Sequence, residues 1–552
     1  MTKKSISRLL QASLMCCLAV LFTACDDIFA SEDNPTPAYL QLSEAPVTIK
    51  AGDTYRRKAI SVTSAVVEYT SSNTNVATVD GEGLVTAIAE GEATITATAT
   101  GYSTGGKKIF LADSKSYVVT VTPAVTSLSL DKANLRFDKN VLTAQVLTPT
   151  VTPSDATITW TSSNENVATV DANGQVTPKA KGTATITAKA GDLTATSSVY
   201  VYDKIWNVNT DGNAAVTTNE SWLIEGDVTT SVSKSITIEA GATVTLNGIN
   251  ITNGIKCLGD ATIILADGST NTVKGYFLKA GIDVGPSGTT LTIDAETAGD
   301  GKLNATGSTQ SAGIGSSYNY SLDITCGAIT IKGGEITAKG GLYGAGIGTG
   351  LNIDKNNTCG AITINGGTVT ATGGKYAAGI GTGWADGSGS NTCGAIAING
   401  GTVTATGGKY AAGIGTGLVD LSGSNTCGAI AINGGTVTAT GGKYAAGIGT
   451  GLVDLSGSNT CGAIAITANV TKVTVTKGED SPNIMGVGYL ASGTQNCGTI
   501  TFGTAQVFDG TAATGTWSPS DPLTAGTYGG LNLAISTTTN ADDTWTLTPV
   551  AP

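Results

Sequence analysis

The chain has 552 residues, 13% of them charged and 5% aromatic, with 75 glycines; it is too long for one hydrophobic core and too poor in charge for a disordered chain. Lys and Arg number 30 against 42 Asp and Glu, a net charge of −12, which argues against nucleic acid or an anionic membrane surface as partner. Histidine is absent, so no imidazole can serve as general base, triad member or metal ligand.

At the N-terminus, Lys3, Lys4 and Arg8 precede an apolar run from Leu9 to Phe22. The run is too short to span a bilayer and reads as an export signal over residues 1–24. It ends in Phe22-Thr23-Ala24-Cys25, and small residues before a Cys resemble the bacterial lipobox, with Phe22 where Leu is usual. The resemblance implies that Cys25 is acylated and becomes the new N-terminus. Its acyl chains, at about 0.8 kcal/mol per buried CH2, are then the only membrane attachment. Residues 25–37 form a tether with Pro35 and Pro37, rich in acid at Asp26, Asp27, Glu32 and Asp33. An acidic stretch in this place resembles the surface-export signal of Bacteroidetes lipoproteins and implies an outer-membrane lipoprotein exposed on the cell surface. No second long apolar run follows, so no transmembrane helix is expected.

Two copies of one pattern come next. Tyr69-Thr70-Ser71-Ser72-Asn73, Asn75-Val76-Ala77-Thr78-Val79-Asp80, Gly83, Gly91 and Ala93-Thr94-Ile95-Thr96-Ala97 recur 91 positions later, as Trp160-Thr161-Ser162-Ser163-Asn164 through Ala184-Thr185-Ile186-Thr187-Ala188. A constant offset marks a tandem duplication. Short alternating strands punctuated by glycines predict a small β-sandwich per copy, over residues 38–123 and 124–203, with Tyr69 and Trp160 as core aromatics. The pattern resembles the bacterial Ig-like group 2 domain, which implies spacer or adhesive modules of a surface protein.

From residue 204 the texture becomes short strands separated by Gly and Asn. Cys326, Cys359, Cys393, Cys427, Cys461 and Cys497 each precede Gly, at spacings of 33, 34, 34, 34 and 36, and residues 394–427 and 428–461 are identical. Each unit predicts three strands, with Ile396/Ile398, Val403/Ala405 and Ala412/Ile414 facing inward. One such coil cannot bury its face alone, but stacked coils can. A variant of the third strand recurs as Ala280-Gly281-Ile282, Ala312-Gly313-Ile314 and Met485-Gly486-Val487, giving at least seven rungs. The fold class is therefore all-β: two Ig-like sandwiches, then a long parallel β-helix over residues 204–504 with coils of about 34 residues, then a C-terminal cap over 505–552 carrying Trp517, Tyr528 and Trp545. Residues 235–315, through Leu246-Asn247-Gly248-Ile249-Asn250-Ile251-Thr252-Asn253 and Ile263-Ile264-Leu265-Ala266-Asp267-Gly268, resemble a carbohydrate-binding family of right-handed β-helices related in fold to polysaccharide lyases.

Stacking turns one letter of the repeat into a row. Tyr343, Tyr376, Tyr410 and Tyr444, with Lys375, Lys409 and Lys443 beside three of them, offer aromatic faces and ammonium donors to a sugar. Strand parity places Tyr410 on the inward side with Ala412 and Ile414, so a packed corner is the competing reading. Trp384 stands where other coils carry Leu418 and Leu452, as an exposed contact or a tip folded over its coil. Asp354, Asp386, Asp420 and Asp454 form a row that either spreads into solvent or gathers Ca2+, the one cofactor the sequence leaves open. Thr402, Thr404 and Thr406 recur as a flat hydroxyl array, matching an ordered surface or merely suiting a solvent-facing strand. The six Cys, placed at a strand start, suit a buried row of free thiols, although a rung spacing of about 4.8 Å also admits pairwise oxidation. No Arg follows Arg136, so a lyase-type clamp on a sugar carboxylate is missing. The chain reads as a binder, not an enzyme, that presents repeated groups to a polysaccharide or another host or bacterial surface ligand; a protein-adhesive fibre is the alternative.

Overall fold

The structure, a computed structural model, describes residues 36–61, 65–101, 110–320, 322–508, 523–537 and 543–550. The export signal, Cys25, nearly all of the tether and Trp517 lie outside the described residues. Among those described there is no helix, as Thr- and Val-rich alternation punctuated by glycine requires.

Two compact units result. In the first unit, one sandwich packs the sheet Val47–Lys50, Asp113–Thr122, Gly91–Gly101, Ala65–Ser71 against Thr54–Arg56, Leu84–Ala87 and Ala77–Val79. Alternation is literal here: Ala93, Ile95 and Ala97 are buried, while the threonines between them are not. The repeated Val-Asp-x-x-Gly run is a turn built on its carboxylate. Asp80 Oδ1 accepts the N–H groups of Glu82 and Leu84 at 2.9 and 2.8 Å; these bonds, that from Leu84 foremost, hold its carboxyl below the usual range. Asp171 Oδ1 likewise accepts the N–H groups of Asn173 and Gln175, both at 2.9 Å. Gly83 (φ 74°) and Gly174 (φ 79°) close these turns. A Cβ on either would press on the ring of Tyr69 or Trp160, so the glycine and the aromatic are chosen together. Both aromatics are half-buried.

The second unit is a parallel solenoid. One coil runs through Ile396–Ile398, Thr402–Thr406, Ile414–Gly415 and Ser424–Cys427, which define faces one to four. Each strand pairs in parallel with its counterpart in the next coil. Ile329, Ile362, Ile396, Ile430, Ile464 and Ile500 form one column; Val369, Val403, Val437 and Val473 form another. These residues are buried in one continuous core. The coil thus has four faces, not three. The Cys ends the fourth strand instead of starting one, and the third strand is only Ile414–Gly415. Ala411 and Ala412 are both buried, in a turn to which period-2 reading does not apply. Met485 pairs with Ile448 and Gly486 with Gly449, two residues from the alignment that Met485-Gly486-Val487 suggests.

Polar columns also run inside the coil. Asn357, Asn391, Asn425 and Asn459 are fully buried. Asn357 Nδ2 donates to Asn391 Oδ1, and Asn391 Nδ2 to Asn425 Oδ1, both at 3.1 Å; backbone carbonyls of Trp384, Leu418 and Leu452 take further amide protons. Thr349, Thr382 and Thr416 accept the N–H groups of Gly383, Gly417 and Gly451 at 2.9 to 3.0 Å. Backbone groups that leave the ladders at the corners are satisfied in this way. After Phe502 the chain turns antiparallel: Asp543–Pro549 lies along Val470–Thr476, and Leu531–Thr537 lies along it in turn. Trp545 packs edge-on against Phe502 at 6.1 Å.

Candidate functional site

The tyrosine row forms because Gly407-Gly408-Lys409-Tyr410 is a turn that recurs at 373–376 and 441–444, and with Leu342 in place of Lys at 340–343, so its side chains leave the solenoid at one corner. Tyr343, Tyr376, Tyr410 and Tyr444 stack face to face, with centroids 5.4, 5.3 and 5.6 Å apart and interplanar angles of 27, 14 and 4°. All four are half-buried. Tyr489 closes the row edge-on at 6.0 Å, from the position that Trp384, Leu418 and Leu452 hold in earlier coils. Because the rings cover one another's faces, a sugar cannot lie flat on an inner ring; the corner offers ring edges, hydroxyls and ammonium groups.

The lysines stay with their tyrosines. Lys375 and Lys409 Nζ lie 4.7 and 4.9 Å from the ring centroids of Tyr376 and Tyr410, within cation–π range. Lys375 also donates to the Tyr376 hydroxyl at 2.9 Å, and this bond holds its ammonium above the usual range. Lys443 Nζ lies 5.6 Å from the Tyr444 centroid and also pairs with Glu479 and Asp480 at 3.3 and 3.4 Å. Trp384 is a packed residue, not an exposed tip. Its ring stacks on Tyr376 at 4.9 Å and lies 5.0 Å from Tyr343, and Leu418 and Leu452 at the same position are buried.

The aspartate row is shorter than the spacing suggests. Ala385, Val419 and Val453 are bridged in sequence, which places Asp386, Asp420 and Asp454 in line. Ile353, however, pairs with Asp386, so Asp354 falls one residue further on, over Gly387, with its Oδ1 3.3 Å from Ser388 N. Asp386 and Asp420 each accept the next residue's N–H at 2.9 Å. Burial, together with the charges of Asp420 and Asp354, holds the Asp386 carboxyl above the usual range. Among the described residues, no group of three or more Asp, Glu, Cys or His is arranged to hold a metal ion.

Cys326, Cys359, Cys393, Cys427, Cys461 and Cys497 pair coil to coil as buried free thiols. Cys257, on face three of an earlier coil, is buried and free as well, and burial pushes its thiol far up. Face two presents the most regular exterior. Thr370, Thr404, Thr438 and Thr474 form one outward column, Thr372, Thr406, Thr440 and Thr476 a second, and Thr368, Thr402 and Thr436 a third. Columns of this kind repeat about every 4.8 Å across coils and about 6.6 Å along a strand.

Residues 40–109 and 119–201 match the bacterial Ig-like domain (group 2) family. Five segments, 299–318, 329–351, 362–384, 396–418 and 430–452, match the β-helix repeat family. The chain therefore carries two Ig-like group 2 domains followed by a β-helix repeat region. It is similar to ice-binding protein 1 of Shewanella frigidimarina, 30% identical over 160 residues, which are 29% of this chain and 17% of that protein. Among solved structures it is similar to domains 4 and 5 of the S-layer protein SbsC, at 20% identity over 25% of this chain and 76% of the other, with a TM-score of 0.14. An I-band fragment of titin aligns at 12% identity over 33% and 71%, with a TM-score of 0.20.

Proposed function

We propose that this is a surface-anchored lipoprotein, held by an acylated Cys25, whose β-helix binds a long repetitive polysaccharide at many points. The observation that carries the reading is the in-register stacking of the repeat coils: Thr404 and Tyr410 recur as Thr438 and Tyr444 one coil on, each in its own column. Weak contacts repeated along one ligand add avidity without a strong single site. The threonine columns of face two supply hydroxyl donors and acceptors, and the Lys375/Tyr376 and Lys409/Tyr410 corner supplies ammonium donors beside ring edges. The Ig-like pair serves as the spacer that carries the solenoid away from the membrane. The test is a glycan array probed with the chain, followed by affinity on the retained polymer for Lys375→Ala/Lys409→Ala and for Thr404→Ala/Thr438→Ala. Retention that weakens in at least one pair supports the reading; no retained glycan sinks it.

One observation favours a protein partner instead. Leu421 and Leu455 project from successive loops, 46 and 54% exposed, an apolar row better suited to a protein surface than to a hydrated glycan. Binding of surface proteins that is lost in Leu421→Ser/Leu455→Ser, without glycan retention, would identify a protein-adhesive fibre.

A further inference from the structure

The first coils of the solenoid are built differently from the repeats. Fourth-face strands begin only at Ile324–Cys326; before that the chain passes from face three directly to the next face one. The consequence is visible in one outward column of face three. From Gly315 onward it is glycine in every coil, through Gly348, Gly381, Gly415, Gly449 and Gly486. Before Gly315 it reads Thr237, Lys256, Asp283. Glycine stands where the backbone takes a positive φ and lies against the carbonyl of the next coil, as at Gly315 (φ 145°) and Gly415 (φ 137°), and polar side chains stand in the coils that have no fourth face. The step between the two cross-sections leaves a cleft of about 370 Å3, lined by Lys256, Asp283, Asn253, Lys279, Phe277 and Tyr318 among others, a volume that suits a small ligand.

The aromatic wall is set by an unusual backbone. Phe277 and Leu278 have φ of 36 and 66°, two consecutive side-chain-bearing residues in a region that disfavours them. Leu278 is held from both ends. Its side chain packs with Tyr318, Ile324 and Leu351, and its carbonyl accepts the Tyr318 N–H at 3.0 Å and the Ser311 hydroxyl at 2.6 Å. With Leu278 pinned inward, Phe277 stands outward at the cleft, 72% exposed. Strained positions persist where surroundings impose them, and they gather at binding sites. Unlike the stacked tyrosines of the later coils, this ring has no aromatic partner among the described ring pairs. In the same lining, Asp283 is oriented by the Ser317 hydroxyl at 2.8 Å and the Gly285 N–H at 3.2 Å, and Lys279 Nζ donates to Asn253 Oδ1 at 3.3 Å.

We propose that this cleft is a saccharide subsite that takes one or two sugar units of a polymer, with the Phe277 face under the ring's C–H groups. Hydroxyls of that sugar donate to Asp283 and Asn253 and accept from the ammonium groups of Lys256 and Lys279. The proposal rests on the reading of the β-helix as a glycan binder and gives it one defined site where that reading has only repeated weak ones. The experiment is calorimetric titration of the full chain with cellotetraose, xylotetraose and tetragalacturonate. At least one is expected to bind, with affinity falling about tenfold in Phe277→Ala and persisting in Phe277→Trp. Phe277→Leu should lose as much as Phe277→Ala, because an aromatic face and not mere bulk is required. An unchanged melting temperature, expected for so exposed a side chain, shows that the fold is intact. The subsite is overturned if no oligosaccharide binds, or if Phe277→Ala or Phe277→Leu binds like the parent. Polymer retention that survives either result leaves the repeat reading standing, so the two fail separately.

Discussion

Asp386 has a like charge on each side of it along the solenoid, from Asp354 and Asp420, and is itself half-buried. An acid whose folded-state pKa is raised holds its proton more readily folded than unfolded. The stability it contributes is therefore present below the unfolded value, about 3.9 for Asp, and is lost as pH rises through the higher folded value. Asp386→Asn should match the parent in urea melts near pH 3 and exceed it at neutral pH, by less than about 1 kcal/mol because solvent screens the site. An equal difference at both pH values would show that charge is not the cause. The row through Asp386, Asp420 and Asp454, each 34 residues from the next, was readable from the sequence; that Asp354 stands out of line emerged only with the pairing of Ile353 to Asp386. The buried asparagines were not readable. Asn391 and Asn399 share the same repeat, and only the fold tells them apart: Asn391 is fully buried, whereas Asn399 donates to Asn365 on the exterior at 2.7 Å.

At the scale of one element, the short face-three strand shows where pattern reading fails. Alternation in Ala411-Ala412-Gly413-Ile414 predicts a strand reaching back to Ala412, yet two adjacent alanines are buried in a corner and only Ile414–Gly415 pairs. Faces one and two were legible because Ile396-Ala397-Ile398 and Thr402-Val403-Thr404-Ala405-Thr406 keep period 2 without a break. The fourth face was hidden because Asn391-Thr392-Cys393 alternates a buried amide with a buried thiol, and neither signals a core strand. Face three is also where coils come closest. Gly415 has φ of 137°, and a Cβ there would run into the Gly449 carbonyl of the next coil. Gly415→Ala should therefore destabilise by about 1–3 kcal/mol or more, as overpacking and backbone strain combine. Thr404→Ala, on the outward face of the same coil, should cost within about 0.5 kcal/mol. Guanidinium titrations of the two variants make the comparison; similar losses would mean that the coils are not in contact at the Gly column.

At the scale of the whole molecule, the duplication of residues 394–427 as 428–461 makes the solenoid unit divisible. Removing 428–461 joins Cys427 to Gly462, and Cys461 already precedes Gly462 in the parent, so each column closes with its own kind. Ile430 and Ile464 are alternative partners for Ile396, and Thr438 and Thr474 for Thr404. In a stack where each coil touches only its neighbours, stability is a sum of coil and interface terms, and a whole-coil deletion subtracts one increment. The shortened chain should keep its strand signal in circular dichroism, melt cooperatively a few degrees lower and hold a polymer less tightly, since one set of contacts is gone. Removing only 428–444 should behave quite otherwise. That cut joins Cys427, the end of a fourth face, to Ala445, a residue of the turn into face three. The coil then has no face-one or face-two strand of its own, because Ile430 and Val437 are gone, and the columns through Ile396 and Val403 are broken between one coil and the next. Loss of the cooperative transition in that variant, but not in the whole-coil deletion, is the outcome required if the columns are the unit on which the binding surface is built.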